Sequence, residues 1–306
     1  MTTLVFGHKS PDTDSTGSPI LWAWYLNEIR GEPAEAVLLG EPSTEAAFVL
    51  GRWQLPKPRI IADVEPGQPC VVVDTNNPAE LPAGINAADL RAIIDHHKLA
   101  GGLQTAAPIE ITMRPLACTA TIMIDLMGDD AARMPDWAKG AALSCILSDT
   151  LEFRSPTTTD HDRAVAERLA ADLQIDIPAY AAELFAAKSD VSSFSDAELL
   201  RMDSKEYEVG GHKFRVSVLE TTSPAGILAR KQGLMQAMQR VAAEDGVDQV
   251  LLFVVDILNR EATLLVPNDL VRSVAEKSFG VRPEGDTVVL PGIMSRKKQI
   301  IPALAA

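Results

Sequence analysis

Cysteine is scarce in this sequence, and positive charge is outnumbered by negative charge. The three cysteines, Cys70, Cys118 and Cys145, lie far apart in apolar runs, and no CxxC or zinc pattern links them. We therefore expect buried free thiols in a reducing compartment rather than a disulfide scaffold. Lysine and arginine number 28 against 42 acidic residues, for a formal net charge of −14. This balance argues against a general nucleic-acid or anionic-membrane binder, although it leaves room for a local basic cluster.

Long apolar runs are also lacking. No run approaches the roughly 20 apolar residues that a membrane-spanning helix needs. The first residues show neither a basic start nor a cleavable apolar segment. We therefore expect no membrane span, no secretory signal peptide and a cytoplasmic location. The chain has 306 residues, 46% of them hydrophobic, which suits one large or two ordinary domains with a substantial buried core.

The first part of the chain alternates short apolar runs with helical patterns. This alternation predicts an α/β domain with a mostly parallel sheet. We predict strands at residues 4–7, 35–40, 59–63, 69–74, 91–95 and 109–113, and helices at residues 18–30, 44–53, 118–127, 137–147, 160–173 and 178–188.

A polar run at residues 189–193 marks the predicted boundary, so we place the two domains at 1–188 and 194–306. The second domain has the pattern of a smaller α+β unit. Gly210-Gly211 predicts a hairpin turn between two strands. The predicted elements of this domain are strands at 207–209, 213–219, 249–258, 262–266 and 287–290, and helices at 225–244 and 269–279.

Acidic and imidazole side chains follow three strands of the first domain where each strand ends. They are His8, Asp74 and the run Asp95-His96-His97-Lys98. Taken alone, each of these residues is more simply a surface histidine, a helix cap or a turn residue. Ligands collect at the carboxyl ends of parallel strands, however, and three such ends favour a common site.

The candidate metal ligands combine nitrogen and hard oxygen donors and include no thiolate. They are His8, Asp12, Asp14, Asp74, His96 and Asp149. Such donors suit Mn, Co, Mg or Fe better than structural zinc. Two divalent ions would cancel the charge of the four carboxylates, which would otherwise repel one another. We therefore predict a pair of ions that hold a water molecule between them, with Asp74 as the bridging ligand.

Five motifs in the chain occur in a characteristic order. They are His8-Lys9-Ser10-Pro11-Asp12-Thr13-Asp14-Ser15, Asp74-Thr75-Asn76, Asp95-His96-His97-Lys98, Ser148-Asp149-Thr150 and Ser295-Arg296-Lys297-Lys298-Gln299. Together they resemble the motifs of the family II, manganese-dependent inorganic pyrophosphatases of the DHH phosphoesterase superfamily. The resemblance covers essentially the whole chain. The central DHH motif indicates only the superfamily, whereas the C-terminal basic motif discriminates the family.

The resemblance implies a fold, an activity and a set of ligands. The fold is a larger N-terminal DHH domain and a smaller, DHHA2-like C-terminal domain, with the active site in the cleft between them. The activity is hydrolysis of pyrophosphate to two phosphates by a hydroxide that bridges two Mn²⁺ or Co²⁺ ions, while Mg²⁺ arrives with the substrate. The implied ligand sets are His8, Asp12 and Asp74 for one ion, and Asp14, Asp74, His96 and Asp149 for the other.

Further roles follow from the same resemblance. Asp95 is expected behind the ligands as the partner of an imidazole, and His97 is expected to face the substrate as a hydrogen-bond donor or proton carrier. Lys205, Arg296 and Lys297 are expected to hold the phosphates, although Lys205 lies in a loose match to its motif and is equally well read as a surface lysine. The resemblance also implies a homodimer formed through the N-terminal domain. Independently of it, Gly292 and the polar linker predict closure of the second domain over the metals, and the acidic balance predicts no nucleic-acid or membrane partner.

Two other functions remain open at this point. Another DHH phosphoesterase would act on short oligonucleotides, cyclic dinucleotides or polyphosphate. Residues 209–212 superficially resemble the glycine-rich GGGH motif of such relatives, but their position predicts a hairpin turn instead. A non-catalytic metal- or phosphate-binding protein is the alternative from a different class.

Overall fold

The computed structural model describes residues 1–305, which form two compact units divided between Lys188 and Ser189. Each unit has its own five-stranded sheet. No helix in the described part of the chain is both long and apolar enough to cross a membrane.

The sheet of the first unit is wholly parallel, with strand order β2-β1-β3-β4-β5. Its strands are β1 (Thr3–Phe6), β2 (Ala34–Ala36), β3 (Pro69–Val73), β4 (Asp89–Asp95) and β5 (Glu110–Met113). Its helices are α1 (Thr13–Tyr25), α2 (Thr44–Arg52), α3 (Thr119–Met127), α4 (Asp136–Thr150), α5 (Asp160–Leu173) and α6 (Ile177–Lys188). The prediction of an α/β domain is confirmed.

Alternate residues along the strands face two separate apolar clusters. Val5, Val71 and Ile94 pack with the residues of α1, α3 and α4, whereas Phe6 and Val72 belong to the cluster on the other face. A parallel sheet covered on both faces explains why these strands are continuously apolar. The strand order reverses beside β1, with β2 on one side and β3 on the other, and such a point in an open parallel sheet is where ligands bind.

The second unit is an α+β structure with a mixed sheet. Its strands are β6 (Ser204–Val209), β7 (His212–Thr221), β8 (Gln249–Asp256), β9 (Glu261–Leu265) and β10 (Thr287–Pro291), in the order β10-β9-β8-β7-β6. Only the β7–β8 pair in this sheet is parallel. Its helices are α7 (Asp196–Met202), α8 (Pro224–Leu228), α9 (Lys231–Asp245), α10 (Asp269–Phe279) and α11 (Ile301–Ala303). Gly210 and Gly211 form the turn of the β6–β7 hairpin, as predicted.

Several local predictions were wrong. The predicted strand at 59–63 is reduced to one bridge between Leu38 and Ile60. The predicted helix at 225–244 is two helices, because Arg230 leaves helical geometry between them and its guanidinium binds the carbonyl oxygens of Val191 and Phe194. Helix α7 was not predicted.

The predicted start of α1 at Ser18 was also wrong. The helix begins at Thr13, because the Asp12 carboxylate accepts a hydrogen bond from the Ser15 N–H at 2.9 Å and caps it. Pro19 therefore lies inside the helix rather than at its first turn. The helix is buried along most of its length, and this tertiary packing offsets the cost of an interior proline.

Candidate metal centre

Five segments of the first unit bring carboxylates and imidazoles to one edge of the parallel sheet. His8, Asp74 and His96 follow neighbouring strands β1, β3 and β4. The cap and first turn of α1 supply Asp12 and Asp14, and the last turn of α4 supplies Asp149. The edge lies at the reversal of strand order, where the fold favours ligand binding.

The first group of potential ligand atoms comes from His8, Asp12 and Asp74. These atoms lie within 4.8 Å of one another. His8 Nε2 is 3.6 Å from Asp12 Oδ2 and 3.5 Å from Asp74 Oδ2. Separations of this size place several donor atoms around one point, as metal coordination requires.

A second group comes from Asp14, His96 and Asp149, also within 4.8 Å. His96 Nε2 lies 3.3 Å from Asp74 Oδ1, so the two oxygens of Asp74 face imidazoles of different groups. His96 Nδ1 is 3.2 Å from the Leu116 carbonyl oxygen. Because a carbonyl can only accept, Nδ1 carries the proton and Nε2 keeps its lone pair for a metal.

The electrostatics of the carboxylates favour bound cations. Burial, followed by repulsion from Asp14 and Asp12, raises the pKa of both Asp74 and Asp149 well above the usual range. The Oδ2 atoms of both residues are buried and have no hydrogen-bond partner among the described residues. Divalent cations would remove the repulsion and supply the missing partners. The donor set, imidazole nitrogen with carboxylate oxygen, fits manganese.

The backbone at Asp74 is unusual for a residue other than glycine. Its φ of 58° lies in the left-handed region, which costs roughly 1–2 kcal/mol for a residue with a Cβ. The Asp74 N–H nevertheless continues the sheet by donating to the Ile94 carbonyl at 3.0 Å. The turn away from the strand therefore begins at Asp74 itself, next to the ends of both neighbouring strands.

Asp95 lies behind this cluster and orients His97. The Asp95 carboxylate is fully buried and accepts hydrogen bonds from His97 Nδ1 at 2.9 Å, His97 N at 3.0 Å and Asn76 Nδ2 at 2.6 Å. Burial raises the pKa of Asp95, but these hydrogen bonds outweigh it and the net pKa is lowered. The same bond to Asp95 raises the pKa of His97. The His97 side chain is about half exposed and can reach a bound molecule.

Three contacts to the carboxylates were missed from the sequence. The Thr119 N–H donates to Asp14 Oδ2 at 2.7 Å, and Thr119 Oγ1 donates to Asp74 Oδ1 at 3.3 Å. Ser18 Oγ donates to Asp14 Oδ1 at 2.5 Å. The start of α3 at Thr119 was the one local signal available, since free N–H groups at a helix N-terminus attract anions.

Replacing Thr119 by valine is expected to weaken divalent-metal binding about 10-fold, the lower end of the effect of losing an outer partner of a ligand. Valine keeps the shape and the backbone N–H but removes the hydroxyl that holds Asp74. Equilibrium dialysis of Mn²⁺ against metal-stripped protein would measure the change. Thr119→Ser retains the hydroxyl and serves as the control, and equal affinity in the valine and serine variants would contradict the expectation.

The basic residues predicted to bind phosphate all belong to the second unit. Arg296 Nη2 lies 2.8 Å from Asp203 Oδ1, while Arg296 Nη1 is buried and has no hydrogen-bond partner among the described residues. Lys205 is exposed on β6, and the exposed Lys297 and Lys298 follow Arg296 in a short π-helical segment, Arg296–Ile300.

Gln299 fixes the loop that carries this basic segment. Its Oε1 accepts hydrogen bonds from the N–H groups of Met294 at 2.8 Å and Ser295 at 3.0 Å, and its Nε2 donates to the Gly292 carbonyl at 2.7 Å. The amide therefore satisfies the backbone just before Arg296. Gln299 therefore holds the shape of the loop that leads into the basic segment.

Comparisons with known proteins cover nearly the whole chain. The DHH family N-terminal domain matches residues 2–148, and the DHHA2 domain matches residues 182–306. A Deinococcus radiodurans protein named "Probable manganese-dependent inorganic pyrophosphatase" is 39% identical over 305 residues, covering 98% of this chain and 96% of its own. A Lactobacillus acidophilus protein of the same name is 34% identical over 302 residues, again covering 98% and 96%.

Solved structures show the same architecture. A Methanococcus jannaschii protein assigned to the family II inorganic pyrophosphatases superposes with a TM-score of 0.62 at 32% identity, covering 99% of this chain and 98% of that one. An exopolyphosphatase-related protein from Bacteroides fragilis has a TM-score of 0.51 at 12% identity, covering 98% and 89%. This second similarity concerns the fold alone.

Proposed function

The chain belongs to the manganese-dependent inorganic pyrophosphatases, and on this premise we propose that it hydrolyses pyrophosphate to two phosphates at the cluster around Asp74. The observation that carries the proposal is the double role of Asp74, whose two oxygens face imidazoles of two different groups of ligand atoms. One carboxylate placed in this way suits a pair of ions that share a ligand.

Two Mn²⁺ ions per subunit, or Co²⁺ in their place, would be held by two sets of ligands that share Asp74. His8, Asp12 and Asp74 would bind one ion, and a second set, Asp14, Asp74, His96 and Asp149, would bind the other. When bound, such ions lower the pKa of a water molecule between them and neutralise charge on the phosphate that is attacked. Mg²⁺ would enter with the substrate.

His97 and Asp95 would act together on the substrate side. The Asp95 carboxylate fixes the ring of His97 through Nδ1, which leaves Nε2 to face a bound phosphate. Because the pKa of His97 is raised, a larger fraction of the ring is protonated near neutral pH than for an ordinary histidine. His97 therefore donates a hydrogen bond or a proton to a phosphate oxygen.

The cations of the second unit would bind the substrate oxygens. Arg296 can grip a phosphate through two parallel hydrogen bonds, whereas Lys297 and Lys205 act as mobile point charges. The charges of the two ions and of the four carboxylate ligands cancel. The cluster therefore offers no net positive charge to a substrate that carries several negative charges. Arg296 and Lys297 supply that charge, and Lys298 adds to it at longer range.

We further propose that the protein acts in the cytoplasm as a homodimer formed through its first unit. The free, buried cysteines suit a reducing compartment. Sedimentation equilibrium would test the dimer, and a monomeric mass at micromolar concentration would contradict it.

Restoring ions one at a time to metal-stripped protein would test the activity. We expect phosphate release from pyrophosphate with Mn²⁺ or Co²⁺, and much less with Zn²⁺ or with Mg²⁺ alone. A dinucleotide assayed in parallel would test the alternative DHH phosphoesterase. Faster cleavage of the dinucleotide would overturn the proposal, and tight phosphate binding without turnover would indicate a binding protein.

A further inference from the structure

A buried glutamate that the reaction does not use lies beside the metal ligands. Glu45, in the first turn of α2, is 2% exposed. Its Oε2 accepts hydrogen bonds from Thr13 Oγ1 at 2.8 Å and Ser148 Oγ at 2.6 Å. Its Oε1 is buried and has no hydrogen-bond partner among the described residues. Burying a carboxylate without a partner lowers the stability of the fold, so the presence of Glu45 at this position calls for an explanation.

The two hydroxyls that Glu45 binds belong to the ligand-bearing segments. Thr13 stands between Asp12 and Asp14, and Ser148 directly precedes Asp149. One carboxylate oxygen thus joins the start of α1 to the end of α4. Hydrogen bonds to a carboxylate are short and strong. The contact therefore fixes the relative positions of two segments that carry three of the six proposed ligands.

Lys188 supplies the positive charge near this carboxylate. Lys188 Nζ lies 3.3 Å from Glu45 Oε2 and donates a hydrogen bond to Ser148 Oγ at 3.2 Å. It is the last residue of α6 and of the first unit. A neutral glutamine could accept hydrogen bonds from the two hydroxyls, but it could not form an ion pair with Lys188. The charge of Glu45 therefore adds a third segment, the end of α6, to the same junction.

We propose that Glu45 is a positioning residue for the metal centre and that Lys188 is the cation that it requires. The carboxylate holds the α1 and α4 segments at the spacing that the ions need, while the ammonium group pairs with the carboxylate and holds it in place. This inference rests on the proposed function only in taking manganese as the ion.

Glu45→Gln and Lys188→Met test the pair separately and together. We expect each single change to weaken Mn²⁺ binding 10- to 100-fold, the usual cost of losing an outer partner of a metal site. The double variant should be little worse than either single variant, because the two side chains act as one unit. Lys188→Arg, which restores the positive charge, should recover most of the affinity.

The principal measurement is Mn²⁺ affinity by equilibrium dialysis of metal-stripped protein, which is independent of turnover. With saturating Mn²⁺, KM for pyrophosphate should stay within about twofold, because neither residue is among those proposed to bind substrate, while any loss falls on kcat. Failure of the unmutated protein to hydrolyse pyrophosphate would contradict the proposed function and leave the dialysis comparison valid.

Tyr180→Phe is the matched control for general damage to α2, α4 and α6, three of the four helices that meet at Glu45. Tyr180 in α6 bonds through its hydroxyl to Ser144 in α4 at 2.6 Å and to Trp53, at the end of α2, at 2.8 Å. It joins three of the four helices of the Glu45 junction without contacting a ligand segment. Mn²⁺ affinity that is unchanged in Glu45→Gln, or reduced equally in Tyr180→Phe, would overturn the proposal. A strictly multiplicative loss in the double variant would overturn the pairing with Lys188.

Discussion

Replacing Asp74 by asparagine is expected to lower kcat/KM for pyrophosphate by at least about 10³-fold, the scale on which a preorganised charge at a reaction centre contributes. Asp74 is the one carboxylate whose oxygens approach imidazoles of two different ligand groups. Asparagine keeps the shape but removes the negative charge and offers only one oxygen. The variant should therefore bind less metal as well as lose activity.

Metal content and steady-state rates should be measured on the same preparation. Asp89→Asn is a matched control, because Asp89 starts β4 at the opposite end of the same sheet and is half exposed. Its surface ion pair with Arg91 is worth at most about 1 kcal/mol, so its activity should remain. Near-normal turnover with two bound ions in Asp74→Asn would remove the case for a shared ligand.

Replacing Arg296 by alanine is expected to lower kcat/KM by about 10³-fold while leaving Mn²⁺ affinity unchanged. The size of this loss is that expected for an arginine that stabilises the charge on a transferred phosphoryl group. One nitrogen of Arg296 pairs with Asp203 while another lacks a partner, so the side chain is oriented with donors left for a ligand. Arg296→Lys should restore little, because lysine cannot bind two oxygens in parallel.

Measuring Mn²⁺ affinity and turnover separately distinguishes a role of Arg296 in substrate binding from a role in metal binding. The proposed ligands lie in the first unit, so dialysis should give the same Mn²⁺ affinity in Arg296→Ala as in the unmutated protein. Arg282→Ala, at an exposed arginine of the same unit, controls for the loss of one positive charge. Equal activity in the two alanine variants would exclude Arg296 from substrate binding.

Three of the six candidate ligands, His8, Asp74 and His96, could be placed together from the sequence because a simple rule connects them. Apolar strands that end in acidic or imidazole residues place those residues at one edge of a parallel sheet. The structure brings all six candidates to that edge, whose chemistry suits metal ions. Glu45 carried no such signal, and Thr119 carried only the weaker one of a helix start. Each acts through a contact made across a long stretch of chain, and such contacts depend on packing that no local pattern records.

The wrong predictions of helix boundaries have the same origin. Local rules read Ser18 and Pro19 as a helix start, but the Asp12 cap and the burial of α1 set the start earlier. The amphipathic pattern at 225–244 is continuous, but Arg230 interrupts the helix to hold the segment before α7. In both cases, tertiary contacts outweigh local preference.

All six proposed metal ligands and His97 belong to one compact unit, whereas the arginine and lysines proposed to bind phosphate belong to the other. Loading with metal and choice of substrate can therefore change independently over evolution. A lineage could acquire a new substrate by altering the second unit alone, because the proposed metal ligands would stay unchanged in the first. The same division suits protein engineering, because the second unit could be exchanged while the proposed metal centre in the first unit is kept.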